Sequence, residues 1–101
     1  MTPLATLFRA YLHQDYDLSY PSVEAAIRAF RAETPAPELA RAIAEIDDLL
    51  AEKSGDRELY CALRARGFIF YPPSRGETAR AWLLRARALL VDVEDAEKYD
   101  D

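Results

Sequence analysis

The sequence predicts an all-α protein, a compact single domain of about five helices. Three observations carry this. Five stretches repeat apolar residues at the three- and four-residue spacing of a helix face. Helix-start residues (Thr2-Pro3, Ser22, Thr34-Pro35, Asp56) stand where those stretches begin. Only one run, Phe68 to Tyr71, is strand-like, and it has no second strand to pair with. The chain has 101 residues, half of them hydrophobic, which suits one core without disulfide staples. No repeat or linker divides it. Short connections between amphipathic helices favour a bundle or orthogonal array.

In the first helix, Thr2 is the expected cap and Pro3 the first helical residue. Leu4, Leu7, Phe8 and Tyr11 share one face, and the helix should end between Leu12 and Gln14. Ser22 should cap a second helix with Val23, Ile27 and Phe30 inward; Ser19 is an alternative cap. Thr34-Pro35 repeats the cap-then-proline signal before a third helix. Its core stripe reads Leu39, Ile43, Ile46, Leu50, and its opposite face Glu38, Arg41, Glu45, Asp48, Glu52. After the break at Lys53-Ser-Gly-Asp, Asp56 should cap a fourth helix with Leu59, Tyr60 and Leu63 inward. Gly67 fits the left-handed residue that closes it. Phe68 to Tyr71 should then form a short extended connector on the core, within residues 68–73, stopped by Pro72-Pro73. A fifth helix begins near Glu77 or Thr78, with Trp82, Leu83, Ala86, Leu89, Leu90 and Val93 inward. Residues 1–93 form the expected domain; 94–101 form an acidic tail expected to fray.

Charge is segregated along the chain. The net charge is −5. Residues 33–58 hold eight acids and three bases, 59–91 one acid and six bases, and 92–101 six acids and one base. An acidic middle and tail bracket a basic segment. Overall acidity opposes direct nucleic-acid binding, despite Arg64, Arg66, Arg75, Arg80, Arg85 and Arg87. Those arginines read as a solvated face, partly paired with the third helix. Glu45, Asp48 and Glu52 read as an outward acidic stripe, either a solubility face or a landing surface for a basic partner. No apolar run reaches the roughly 20 residues of a membrane span. The first residues lack a basic leader and cleavage site, so a cytoplasmic location without membrane partners is expected.

Catalytic chemistry finds little footing. His13, the sole histidine, with Asp15 or Asp17 resembles a base and its orienting carboxylate, but the nucleophile would have to be Cys61 or a serine. The plainer reading has His13 at the negative end of the first helix and both aspartates shaping the turn. One histidine and one cysteine exclude the usual zinc spacings. Asp15 and Asp17 lack the glycine and terminal glutamate of a calcium loop, and no glycine-rich phosphate loop exists. No cofactor, metal or catalytic residue is therefore expected. Cys61 reads as a partly buried structural thiol. Tyr71 either plugs one end of the bundle or, if exposed, serves a partner.

The stretch Tyr11 to Tyr20, "YLHQDYDLSY", carries a resemblance. The chain is similar to immunity proteins of bacterial contact-dependent growth inhibition, the CdiI type, in which an apolar helix ends in an "FHQD"-like motif followed by an aromatic residue and Asp. Leu12 replaces the phenylalanine; His13, Gln14, Asp15, Tyr16 and Asp17 match. Further matches are Ala26–Phe30, Glu45–Leu50, Arg66–Pro73 and Ala81–Arg87. The resemblance implies a cytoplasmic, non-enzymatic helical protein that neutralises the C-terminal toxin domain of a matching CdiA effector. Many such toxins are nucleases, so a basic nuclease domain is the expected partner. Candidate contacts are Glu45, Asp48 and Glu52, with Asp15, Asp17 and Tyr71. The rival reading is a helical adaptor or regulator binding an acidic or nucleic-acid partner through its C-terminal arginines.

Overall fold

The computed structural model describes residues 1–91. The first helix, α1, is α-helical over Pro3–Thr6 and continues as a π-helical stretch over Leu7–Tyr11. Then come α2 (Val23–Glu33), α3 (Ala36–Glu52), α4 (Asp56–Ala65) and α5 (Ala79–Val91). Short 3-10 turns occupy Tyr16–Leu18 and Pro72–Arg75. The described residues contain no strand, and the radius of gyration is 13.3 Å. The expected tail, residues 94–101, and Val93 lie outside the described residues.

Helix boundaries follow local chemistry. The Thr2 hydroxyl accepts from the Ala5 amide at 3.2 Å, and the Ser22 hydroxyl from the Ala25 amide at 3.0 Å. Leu12 ends α1, its amide donating to the Leu7 carbonyl at 3.0 Å. This wider turn lets Leu7, Phe8 and Leu12 all bury. Two expected caps are corrected. Thr34 closes α2, while α3 begins one residue later behind Pro35 with no side-chain cap. Asp56 is the first residue of α4, behind Gly55, and caps another helix altogether. Its carboxylate accepts from the amides of Ala79 and Arg80, at 3.0 and 2.9 Å, at the start of α5. Arg80 returns the favour, donating to the carbonyls of Leu50 and Lys53 (2.6 Å to the latter) at the end of α3. Two helix ends are thus satisfied by one reciprocal clasp.

Helix α5 is the hub, packing against α2, α3 and α4, while α1 packs on α3 and, through its π-helical part, on α2. Gly67 closes α4. Its φ of 101° is left-handed, its amide meets the Arg64 carbonyl at 3.0 Å, and the Phe68 amide meets Leu63 at 3.1 Å. A Cβ at this position would also stand 2.7 Å from Cγ of Arg9. The reversal drives Phe68, 2 % exposed, into the core between Phe8 (ring centroids 5.2 Å) and Trp82 (4.6 Å). The expected connector is therefore present, with a strand-like alternation. Phe68 and Pro72 are buried and Phe70 half-buried, while Ile69, Tyr71 and Pro73 are exposed.

Truncating Phe68 removes a ring from the point where α1, α4 and α5 meet. Phe68→Ala is expected to destabilise the fold by about 3–5 kcal/mol, read from denaturant unfolding. A second expectation concerns Tyr11, whose hydroxyl donates to Glu33 at 2.6 Å. That bond, aided by burial and by the nearby Glu33 charge, raises the phenol from 10.0 to about 12. The protonated phenol thus favours the fold at pH below 10, and the contribution disappears as pH rises through about 12. An ultraviolet titration of Glu33→Gln should bring the Tyr11 transition down toward the ordinary value.

Candidate functional site

On α3, the fully buried residues are Ala42, Ile46 and Leu49; Leu39, Ile43 and Leu50 are only partly buried. The core-facing stripe is rotated from the expected one, and this decides the fate of the acidic row. Glu45 does not project outward. Its side chain is 14 % exposed and accepts from Arg66 Nε at 2.6 Å, the Thr2 hydroxyl at 2.9 Å and the Leu4 amide at 3.3 Å. It sits at the positive N-terminal end of α1, where a carboxylate is favoured. Glu45 fastens α1 and the end of α4 to α3. Asp48 and Glu52 are exposed and enter no ion pair among the described residues.

On the opposite flank of α3, Asp47 meets Arg87 of α5 in a two-point contact at 2.6 and 3.1 Å. The hydrogen bond to Arg87 holds the Asp47 carboxyl below its ordinary range. Arg85 pairs with Glu77 and lies 3.8 Å from Glu24. Arg80 is committed to the α3 carbonyls, and Arg64 lies over the Tyr60 ring at 5.9 Å. The basic segment therefore spends most of its charge inside the fold.

The turn after α1 is equally explicit. Nδ1 of His13 accepts from the Asp15 amide at 3.1 Å, and the His13 carbonyl accepts from the Tyr16 amide at 3.0 Å. His13 shapes this turn with its ring and carbonyl, a part the plainer reading gave to the side chains of Asp15 and Asp17. Asp15 and Asp17 are exposed, and their carboxylates enter no ion pair among the described residues. Cys61 is exposed, not partly buried as expected. It lines a groove of about 510 Å³ with Tyr60, Tyr71 and Asp56. His13 lines a different groove, of about 470 Å³, with Arg9, Asp15, Gly67 and Ile69. The structure does not bring the two into one site, and among the described residues no three metal-ligand-type side chains converge.

The feature that connects the surface is the connector from Arg66 to Arg75. Arg66 borders a groove with Asp48. Gly67 and Ile69 border the next, with Asp15. Ile69, Phe70, Tyr71 and Arg75 border a third, of about 430 Å³, with Tyr16 and Trp82. Tyr71 and Pro73 border the fourth, with Cys61. Tyr71 is 57 % and Ile69 45 % exposed. Sequence reasoning singled out Tyr71 and missed Ile69; the two-residue alternation of the run was the available signal.

These features define a small helical protein whose exposed surface offers carboxylates and an apolar connector for contact. The chain belongs to the CdiI immunity protein family, whose model matches residues 1–90. It is also similar to a chain in the crystal structure of a CdiA-CT/CdiI complex from Y. kristensenii. That similarity has 28 % identity and a TM-score of 0.79, covering 87 % of this chain and 95 % of that one. No curated protein matches. No helix among the described residues is long and apolar enough to cross a membrane.

The two kinds of α3 carboxylate are separable by experiment. Glu45→Lys opposes Arg66 and removes acceptors from α1, so a loss of about 1–3 kcal/mol is expected. Asp48→Lys with Glu52→Lys should stay within about 0.5 kcal/mol. Urea midpoints of the two variants check this, and equal losses would contradict the structural role of Glu45.

Proposed function

We propose that this protein binds and neutralises the C-terminal toxin domain of a cognate CdiA contact-dependent growth inhibition effector. It acts in the cytoplasm, without catalysis of its own. The observation that carries the reading is the family match across residues 1–90, reinforced by the likeness to a chain from a CdiA-CT/CdiI complex. The toxin domain is a basic protein, a nuclease whose substrate-binding surface is positively charged. The exposed carboxylates Asp15, Asp17, Asp48 and Glu52 suit such a surface, steering encounter and fixing orientation. Tyr71 supplies an aromatic contact. Glu45, first grouped with these, is assigned to the scaffold, because its oxygens already hold Thr2, Leu4 and Arg66.

Binding of an acidic or nucleic-acid partner through the arginines is the weaker reading. Arg80, Arg85 and Arg87 have internal partners that would have to be given up.

The test is co-expression with the C-terminal toxin domain of the cognate CdiA effector, scored for survival. Growth rescue by the wild-type chain is expected, and continued killing by a folded, expressed chain would contradict the function. Asp48→Lys with Glu52→Lys should slow association with the purified toxin domain several-fold and flatten its salt dependence. An unchanged salt profile would remove α3 from the contact surface.

A further inference from the structure

We infer that the outward row Ile69, Tyr71 and Pro73 is the apolar anchor by which this protein docks on the toxin domain, with Asp15 and Asp17 as its charged rim. The inference rests on the proposed immunity function and names the surface that performs it.

Six large hydrophobic side chains are substantially exposed among the described residues, and two of them, Ile69 and Tyr71, lie on this one connector. Exposure of a lone hydrophobe needs no explanation, but a row on one short segment does. The alternate residues explain how the row is held. Phe68 is wedged against Trp82. Phe70 stacks on Trp82 (6.1 Å) and meets Tyr16 edge-on (5.8 Å). Pro72 is buried and starts the 3-10 turn. Tyr71 leans edge-on against Tyr60 at 5.6 Å. The exposed side chains are therefore presented from a segment pinned at every second residue. A partner meets them already ordered, and less conformational entropy is lost on binding. Grooves on both sides of the row accept the partner's own side chains. Phe68 and Phe70 are positioning residues here.

The proposed function names the occupant, and the aspartate-bearing turn supplies a charge that suits it. The Tyr16–Phe70 contact ties the aspartate-bearing turn to the connector, and Asp15 shares a groove with Ile69. The other charges bordering these grooves are mixed: Arg9, Arg57 and Arg75, which also enter no ion pair among the described residues, and Asp56, which holds the start of α5, with Glu24 and Glu77 facing Arg85. The carboxylates of Asp15 and Asp17 stand together on one turn without an ion pair among the described residues. A second copy of this chain would bring the same two carboxylates against itself, in a molecule of net charge −5. A toxin domain with an apolar cleft rimmed by lysine or arginine meets both the row and the aspartates. The aromatic anchor then governs residence time and the aspartates govern encounter.

The experiment measures binding of the cognate CdiA toxin domain to the wild-type chain, to Ile69→Ala/Tyr71→Ala, and to Asp15→Asn/Asp17→Asn. Helical circular dichroism and melting verify that each variant is folded. The Ile69/Tyr71 variant should bind at least about 100-fold more weakly, through faster dissociation, with the wild-type salt dependence. The aspartate variant should associate several-fold more slowly, with a flatter salt dependence. If the wild-type chain binds the toxin and the folded Ile69/Tyr71 variant binds it equally well, the anchor lies elsewhere and the immunity function stands. If the wild-type chain fails to bind the toxin at all, both readings fall. Sedimentation supplies the remaining arm: a wild-type dimer abolished by Ile69→Ala/Tyr71→Ala would assign the row to self-association and overturn the inference.

Discussion

The structure depends on one side chain being swallowed whole. Phe68 follows directly on the left-handed Gly67, and the chain reversal there leaves its ring nowhere to go but between Phe8 and Trp82. That burial joins α1, α4 and α5 at a single point. It also sets the path of everything from Ile69 to Arg75. Aromatic rings bring large buried area and preferred tilted geometries, so a cluster of this kind packs in few ways. The tilted and edge-on pairs Phe8–Phe68, Phe68–Phe70 and Phe68–Trp82 are of this sort.

Around this core, polar groups are arranged to finish helix ends. Asp56 accepts from the first amides of α5, and the Arg80 guanidinium donates to the last carbonyls of α3. Arg31 reaches the Leu90 carbonyl at 3.2 Å, tying α2 to the last turn of α5. Glu45 receives the start of α1 and the guanidinium of Arg66 together. The opposite charges segregated along the chain thus meet in space, Asp47 with Arg87 and Glu45 with Arg66. Such pairs are worth most where they are partly withdrawn from water and backed by other hydrogen bonds, as at Glu45. At the exposed Asp47–Arg87 pair, solvent screening leaves mainly registration of α3 on α5.

This arrangement divides labour within motifs. In the segment from His13 to Asp17, the imidazole and the backbone build the turn, and the two carboxylates remain outside it. In the segment from Phe68 to Pro73, alternate residues belong to the core and to the surface. A binding protein gains from this economy, because the residues that hold the surface still are adjacent in sequence to those that touch. In the proposed complex, exposed positions are free to change with the toxin while Phe68, Phe70 and Trp82 keep their shape.

The sequence by itself determined the helices, their approximate ends and the connector. Local physics suffices for these: Thr2 and Ser22 satisfy amides three residues ahead, Gly67 takes a conformation other residues resist, and apolar periodicity names the buried faces. Its resemblance to immunity proteins pointed to the family. Tertiary structure decided what a periodicity cannot. A helix stripe is read only to within a residue, and rotating α3 by that much put Glu45 inside, while the placement of α5 along the other flank set Asp47 against Arg87. Asp56 sits one residue inside α4, yet its partners are amides at the start of α5, a contact of |i−j| 23 and 24. Cys61 was left exposed by the placement of neighbouring elements, although it stands one residue from the apolar face of α4. Caps and turns are contracts between near neighbours and are written in the sequence. Which charge meets which, and which hydrophobe stays outside, is settled only when the helices pack.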